Sequence, residues 1–315
     1  MILTVTLNPA MDKTVEIENF QIGAVNRISS VQLDAGGKGI NVSKTIKSLG
    51  GETKAIGLLG GRTGSFIKND LDRLGIMNEF YFVQDETRIN LKIVDSRKKT
   101  TTDINEPGPK ITLEDMRKVE EILINNIDRN TIAVFSGSIP AQGDNGIYGK
   151  WIKTVKKAGG KAILDAEGEL LRQGIMEGPC LIKPNLHELE GLLNKKVESI
   201  QQAESQGRSL IEQYGIEMAV VSLGEKGAIF INRNQSILVH ALKVAVKSTV
   251  GAGDSMVAAL AYCMDRGYDF EKAAKLSVAS GVASVMIQGT QASSLEKIEE
   301  LERQIKFEVI KQIKP

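Results

Sequence analysis

The 315-residue chain reads as an α/β protein: a mostly parallel sheet covered by helices on both faces, plus a small separate β-sheet. Three observations predict this. Short apolar runs of strand length, most of them ending in Gly, Pro, Asn or Asp, alternate with segments of helical period, and that alternation marks parallel strands buried on both faces. Two further segments alternate apolar with polar residues and show no helical period, which predicts strands with one wet face. A composition of 42% hydrophobic and 25% charged residues is ordinary for a chain with a full core.

The strand runs are "MILTVTLN" at the start, "TKAIGLLGG" (53–61), "TIAVFSGSIP" (131–140), "GKAILDAEG" (160–168), "CLIKPN" (180–185) and "MAVVSLG" (218–224). Helices lie between them. Val42, Ile46 and Leu49 share one face before Gly50-Gly51, and Ile67, Leu71 and Leu74 do the same before Gly75. Met116, Val119 and Leu123 follow a capping box formed by Thr112 and Asp115. The segments that break the rhythm are 14–34 and 78–105, expected to pair as antiparallel strands of a flap within a single domain spanning 1–315. Arg27 and Arg88 would then face a cleft or a second subunit. The last 22 residues carry Leu295, Ile298, Leu301 and Ile305 on one stripe and predict a surface helix packed on the domain.

Charge and composition exclude several classes. Lys and Arg total 40 against 39 Asp and Glu, a net charge of +1, which offers no electrostatic case for nucleic acid or a membrane surface as partner. The two cysteines, Cys180 and Cys263, sit in apolar runs and read as buried thiols of a reducing compartment. Two histidines are too few for a histidine-built zinc site. The first residues lack a basic leader and no run reaches the ~18 apolar residues of a membrane span, so the expected location is cytoplasmic. No G-x-x-x-x-G-K-[ST] occurs, which removes a P-loop enzyme. "GAGDSM" begins like a dinucleotide fingerprint, but Met256 stands where the third glycine belongs and the run lies near the C-terminal end.

Ligands of open α/β sheets bind beyond the carboxyl ends of the strands, so strand ends carry the weight. In "STVGAGDSMVAAL", Gly251, Ala252, Gly253 and Asp254 open a helix of small residues. Free amides there form an anion cradle, and a carboxylate beside it can take a proton from an attacking hydroxyl. A plain N-terminal Asp stabilising its own helix fits the same letters. In "DAGGKGINVSKTIKSLG", Gly36, Gly37 and Gly39 feed a second helix start with Lys38 and Asn41 beside its amides; a bare loop is the simpler reading of that cluster alone. Asp12, expected just past the first strand, can accept from sugar hydroxyls or sit in a solvated turn. Asn185 and Glu188 in "KPNLHE" suit Mg²⁺ held partly through water, or a capping pair, equally well by spacing. "VSLGEKGA" reads as a tight hairpin turn that would give backbone contacts to phosphates in a nucleotide site.

With "TLNPAMD", "GGKGINVSKTIKSLG", "SGSIP", "KPNLHELE", "VSLGEKGA" and "TVGAGDSMVAAL" in this order, residues 2 to 290 resemble the ribokinase-like sugar kinases. The likeness is greatest to their phosphosugar branch, the 1-phosphofructokinases first and the tagatose-6-phosphate kinases next. The resemblance implies a three-layer ribokinase-like core with a β-sheet lid that commonly carries dimer contacts. It implies transfer of a phosphoryl group from MgATP to a sugar hydroxyl, with Asp254 as base and the Gly251–Asp254 amides as anion hole. Asn185 and Glu188 match the magnesium motif. Lys183, Ser222, Gly224, Gly227 and Thr249 match the nucleotide side. Asp12, Gly37, Lys38 and Asn41 match the sugar site. Arg27, Arg88, Asn90 and Ser138 stand where phosphosugar members hold the substrate's existing phosphate and hydroxyls. The resemblance leaves open a monovalent cation by the anion hole.

Physical chemistry favours the phosphosugar branch: a dianionic substrate needs fixed positive charge, and Arg27, Lys38 and Arg88 supply it. Two departures stand out. Ala259 occupies a position where many relatives have glycine, and "LDAEG", with Asp165 and Glu167, replaces the more usual small hydroxyl residues after that aspartate. The leading expectation is fructose 1-phosphate as substrate, because "ETRINLKI" followed by "INEPGP" (104–109) looks closer to that subgroup. The rivals are a tagatose-6-phosphate or fructose-6-phosphate kinase, a non-catalytic sugar-phosphate sensor, and a nicotinamide enzyme.

Overall fold

A computed structural model describes residues 1–312. Strand β1 (Ile2–Thr6) is fully buried, and the chain then leaves the core at Asn8-Pro9 to form β2 (Ala10–Ile17) and β3 (Ser30–Gly36). It returns as α1 (Lys38–Ser48), β4 (Thr53–Gly60), α2 (Gly61–Arg73) and β5 (Met77–Val83), and leaves again as β6 (Arg88–Asp95) and β7 (Thr100–Asn105). The alternating half follows: α3 (Leu113–Asn125), β8 (Ile132–Ser136), α4 (Ile147–Lys157), β9 (Lys161–Asp165), α5 (Gly168–Ile175), β10 (Leu181–Ile182), α6 (Leu186–Leu193), α7 (Ile200–Tyr214) and β11 (Met218–Ser222). A hairpin, β12 (Ala228–Asn232) and β13 (Gln235–Val239), precedes α8 (Ala252–Arg266), α9 (Phe270–Val285), α10 (Leu295–Glu302) and β14 (Phe307–Gln312).

Ten strands form one sheet in the order β14-β13-β12-β11-β10-β9-β8-β1-β4-β5, parallel from β11 to β5. The strands are apolar on both sides because both sides are covered. Leu3, Val5 and Phe135 join the core beneath α3–α7, while Ile2, Ile132 and Val134 join the core beneath α1, α8, α9 and α10. Helix α2 covers the β4–β5 edge through Ile67 and Leu71. Phe135, Tyr148 and Trp151 anchor the first core, with ring centroids 5.7 and 6.4 Å from Phe135. Truncating Phe135 there would cost about 3–5 kcal/mol. Ala259 is wholly buried in α8, small enough for that helix to lie between α1 and α9.

The other four strands form the small sheet, ordered β3-β2-β6-β7. Here expectation and structure part in several places. Residues 78–83 belong to β5 of the main sheet, parallel to β4, because Phe80 and Ile76 pack with Leu59 and Leu71. β2 and β6 pair in parallel, not antiparallel. β2 begins at Ala10, so Asp12 lies within a strand and not in a turn, and residues 18–29 are a connection. The C-terminal helix stops at Glu302. "FEVIKQ" pairs antiparallel with β13, with a register shift that leaves Ile310 out of the ladder, although Ile298, Leu301 and Ile305 still reach the core. Leu74, expected on a buried face, is exposed at the end of α2. Beyond the strand that the 221–228 hairpin reading expects, β13 adds one more, although "QSILV" carries a strand signal. The Thr112–Asp115 capping box forms as expected.

No helix is long and apolar enough to cross a membrane among the described residues.

Candidate active site

At the carboxyl ends of the central strands, Asp165 of β9 and Lys183 after β10 meet Lys38 and Asn41 of α1, Asn41 meets Asp254 of α8, and Asp12 of the small sheet is tied to Thr290 nearby. α8 starts behind Gly251, whose φ of 84° is left-handed backbone that glycine adopts without strain. No side chain caps this helix, so its first amides stay free. Asp254 is the third helical residue, in the first turn and not at the cap. It is 6% exposed, and Asn41 Nδ2 donates to its Oδ2 at 2.8 Å. Burial first, and the neighbouring Asp165 second, push its carboxyl up to about 6, against the pull of Lys38, Asn41 and Lys183.

Asp165 ends β9 at 1% exposure and faces two ammonium groups, Lys183 Nζ at 3.3 Å and Lys38 Nζ at 3.8 Å. Burial opposes its charge, yet Lys183 and Lys38 together hold it below the usual carboxylate range. Asp165 in turn raises the Lys38 ammonium despite burial. Lys183 lies over the α8 start: a β-carbon on Gly253 would stand 3.3 Å from its Nζ. Two fixed cations, one shared carboxylate and a row of free amides therefore converge beside Asp254. Such an arrangement can accept a proton and neutralise charge developing on a phosphoryl group.

On the other side of Asn41, α1 opens at Gly37 (φ 117°), where a β-carbon would stand 2.9 Å from Thr6 Cγ2 and 3.0 Å from Pro9 Cα. Asp12 projects from the small sheet toward this corner. Asn90 Nδ2 donates to its Oδ1 at 3.1 Å and Thr290 Oγ1 to its Oδ2 at 3.3 Å, while burial raises its carboxyl. Lys44, buried in α1, donates to the carbonyls of Ala35 (2.5 Å) and Thr290 (3.0 Å), so one ammonium fastens β3 and the 290 loop to the core. The side-chain carbonyls of Asn41 and Asn90 accept no hydrogen bond from the described residues, which suits them to hydroxyl donors. Ser138 Oγ lies 3.3 Å from Asn8 Nδ2. Arg88 donates to the carbonyls of Asn8, Pro9 and Glu106.

Asn185 and Glu188 form a full capping box at α6, each side chain bound to the other's amide at 2.8 Å. The capping alternative is thus realised. It leaves Glu188 one oxygen outside that bond, and burial raises its carboxyl. Ser222 bridges to Asn185 at the end of β11, and Gly224 and Gly227 (φ 62° and 98°) shape the turn into β12, as the hairpin reading expects. Two expected residues are not drawn in. Arg27 is exposed on the 18–29 connection and Thr249 is exposed before α8, neither with a side-chain hydrogen-bond partner among the described residues. The reason for Arg27 is its place on the long excursion between β2 and β3: only its start, at Phe20, packs on a core, and residues 21–29 are exposed except Asn26. The sequence motifs assign no role to Asp165, Thr290 or Lys44. A strand-end acid in "AILDAEG" was the one usable signal.

Among the described residues no three His, Cys, Asp or Glu side chains cluster closely enough to hold a metal by themselves. A hollow of about 300 Å³ between Arg208, Ile211, Glu212 and Arg233 lies elsewhere. It sits by Asn232, at the far end of β11 from Ser222, and Arg208 there is bound to Glu204 and the Asn232 carbonyl.

A fold with two glycine-to-helix junctions at one sheet edge, a raised carboxyl between them and a strand-built cover defines a small-molecule phosphotransferase site in form. The model of the pfkB family of carbohydrate kinases matches residues 5–298. The chain belongs to that family. It is 37% identical over 287 residues to a 1-phosphofructokinase of Borreliella burgdorferi, covering 91% of this chain and 92% of that one. It is 33% identical over 307 residues to a tagatose-6-phosphate kinase of Staphylococcus epidermidis, covering 97% and 98%. Among solved structures, the phosphofructokinase-2 of Escherichia coli in complex with potassium superposes with a TM-score of 0.92 at 29% identity, covering 96% and 98%.

Proposed function

We propose that this protein is a phosphosugar kinase that transfers the terminal phosphoryl group of ATP to fructose 1-phosphate, giving fructose 1,6-bisphosphate. The observation that carries the proposal is Asp254: a buried carboxyl, pushed up to about 6, held by Asn41 at the open amide end of α8. The acceptor hydroxyl gives its proton to Asp254 as its oxygen bonds to the terminal phosphorus, and the bond to the bridging oxygen breaks to release ADP. The amides of Gly251, Ala252, Gly253 and Asp254 face the charge that develops, and Lys38 and Lys183 offset it. Asp12, Gly37, Asn41 and Asn90 position the sugar. Arg88, Ser138 and, from its long connection, Arg27 hold the phosphate it already carries. Lys183, Asn185, Ser222, Gly224, Gly227 and Thr249 form the nucleotide side.

Magnesium fits the residues present. Asp165 has two buried oxygens whose partners among the described residues are the ammonium groups of Lys183 and Lys38, and Glu188 keeps one oxygen beyond its cap. One or two carboxylates plus substrate phosphates and water are the usual Mg²⁺ set, and the ion supplies charge neutralisation across the phosphates. A monovalent cation near the anion hole is a further expectation, supported only by the potassium complex of the Escherichia coli relative.

A homodimer through the lid is also proposed. The face of the small sheet opposite Asp12 is apolar, with Val15, Ile17 and Ile93 clustered on it, and leaves Val31 54%, Leu33 43% and Ile104 53% exposed. Sedimentation of Leu33→Glu against wild type tests this, with a monomeric shift expected.

The substrate is tested by a coupled assay that offers ATP with fructose 1-phosphate, tagatose 6-phosphate or fructose 6-phosphate. The highest kcat/KM is expected for fructose 1-phosphate. Equal or better turnover of tagatose 6-phosphate, which the 33% identical relative's name favours, overturns the assignment.

A further inference from the structure

The run "INEPGP", residues 104–109, begins in β7 but most of it lies beyond the sheet. The β6–β7 ladder ends at the pair Asn90 and Asn105. One residue further, Glu106 Oε2 accepts from the amide of Ile89 at 2.8 Å, so a side-chain carboxylate takes the place of the next strand carbonyl. The backbone carbonyl of the same residue accepts from Arg88 Nη1 at 3.1 Å. Pro107 O then accepts from Asn8 Nδ2 at 3.1 Å. Gly108 follows at φ 102°, with the Asn8 amide packed where a β-carbon would have to sit. From the core side Arg88 Nη2 reaches Asn8 O at 3.0 Å and Nε reaches Pro9 O at 3.4 Å.

The Arg88 guanidinium is therefore pinned through all three nitrogens by carbonyls on two separate segments. A guanidinium has five N–H groups, and these three bonds leave one on each terminal nitrogen. Both can donate to phosphate oxygens. We propose that Glu106 is a positioning residue for this kinase: its carboxylate clamps the start of β6 through Ile89, and so aims the remaining donors of Arg88 at the phosphate already on the sugar. The inference rests on the reading of Arg88 as a phosphate-binding residue of a phosphosugar kinase. Each part of "INEPGP" then acts mechanically. The glutamate holds β6, the proline carbonyl holds Asn8, and the glycine lets the strap pass over the end of β1.

Glu106→Ala and Glu106→Gln test it in the full-length enzyme, by steady-state kinetics in each substrate with thermal denaturation alongside. Removal of the clamp misaims a fixed contact, so Glu106→Ala is expected to raise KM for the phosphosugar by about 10-fold to 100-fold, with kcat and KM for ATP within about threefold. The Gln amide oxygen can still accept from Ile89, and Glu106→Gln is expected to return that KM to within about threefold of wild type. An unchanged phosphosugar KM in Glu106→Ala, an equal rise in KM for ATP, or a Gln variant as impaired as Ala overturns the proposal. If Glu106→Ala does not fold, Glu106→Asp decides, since its carboxylate is one methylene too short: a wild-type KM there overturns the clamp, and a raised one beside a normal Gln variant supports it. Wild-type turnover of none of the three phosphosugars would instead refute the substrate reading, and leave that failure distinct.

Discussion

Replacing Asp254 with Asn removes the proton acceptor and keeps the shape. Asn41 Nδ2, 2.8 Å from Asp254 Oδ2, can still donate to the new amide oxygen, so α1 and α8 should stay in register. The loss expected from a missing general base is about 10²–10⁴ in kcat, or roughly 3–5 kcal/mol of barrier. Stability should move the other way. The folded-state pKa of Asp254 stands above its unfolded value, so the folded protein binds this proton more tightly and the ionised group is a burden at high pH. A rise from 3.8 to about 6 amounts to ~3 kcal/mol at pH 8. The burden shrinks as pH falls through 6 toward 4 and is gone only below the unfolded value of 3.8, where the carboxyl is neutral in both states. Asp254→Asn should therefore melt higher than wild type at pH 8, by about 2 °C per kcal/mol recovered, and the gap should narrow toward pH 4 and close below it. The assay is a coupled rate measurement from pH 5 to 9 beside a thermal melt at each pH. Wild-type kcat/KM should fall on the acid side near pH 6, and the variant should lack that limb. A variant that keeps its rate within tenfold and melts no higher at pH 8 would refute both the base assignment and the burial argument.

Asp165→Asn should do the opposite to stability, because it strips the counter-charge from Lys183, itself 5% exposed. A urea titration is expected to show a loss of about 3–5 kcal/mol with activity reduced, since an uncompensated buried charge remains. Lys44→Met leaves the carbonyls of Ala35 and Thr290 without their donor. About 1–3 kcal/mol should be lost per orphaned group, and KM for the phosphosugar should rise as Thr290 releases Asp12. Chelating divalent cations should abolish turnover, with magnesium restoring it, and Glu188→Gln should raise the magnesium concentration needed for half-maximal rate. A rate insensitive to the chelator would contradict the metal's role.

Local pattern alone carried a large part of this protein. Near-continuous apolar runs and period-3.6 segments announce β1, β4, β8, β9 and their helices, because burial on both faces forces such strands. Glycines at 36–39 and 251–253 announce the two amide-bearing helix starts, because only a residue without a β-carbon fits the backbone at Gly37 and Gly251. Asp254, Asn41 and Asp12 could be named from those letters. What the letters lack is partnership. Residues 77–83 alternate as a flap strand would, yet join the main sheet, because sheet membership is decided by β4 and by Ile76 and Phe80 packing on α2. "FEVIKQ" becomes a strand because β13, far earlier in the chain, offers it an edge on which Phe307 pairs with Val239 and Val309 with Ile237.

The chemistry divides the same way. The types of its charged groups are in the sequence, but their protonation is set by burial and by neighbours distant along the chain. Asn41 reaches Asp254 across 213 residues and Thr290 reaches Asp12 across 278. Asp165 gains its partners only when the fold sets Lys38 and Lys183 on either side of it. A carboxyl near 6 is a property of enclosure, and enclosure exists only once the chain has closed around Asp254.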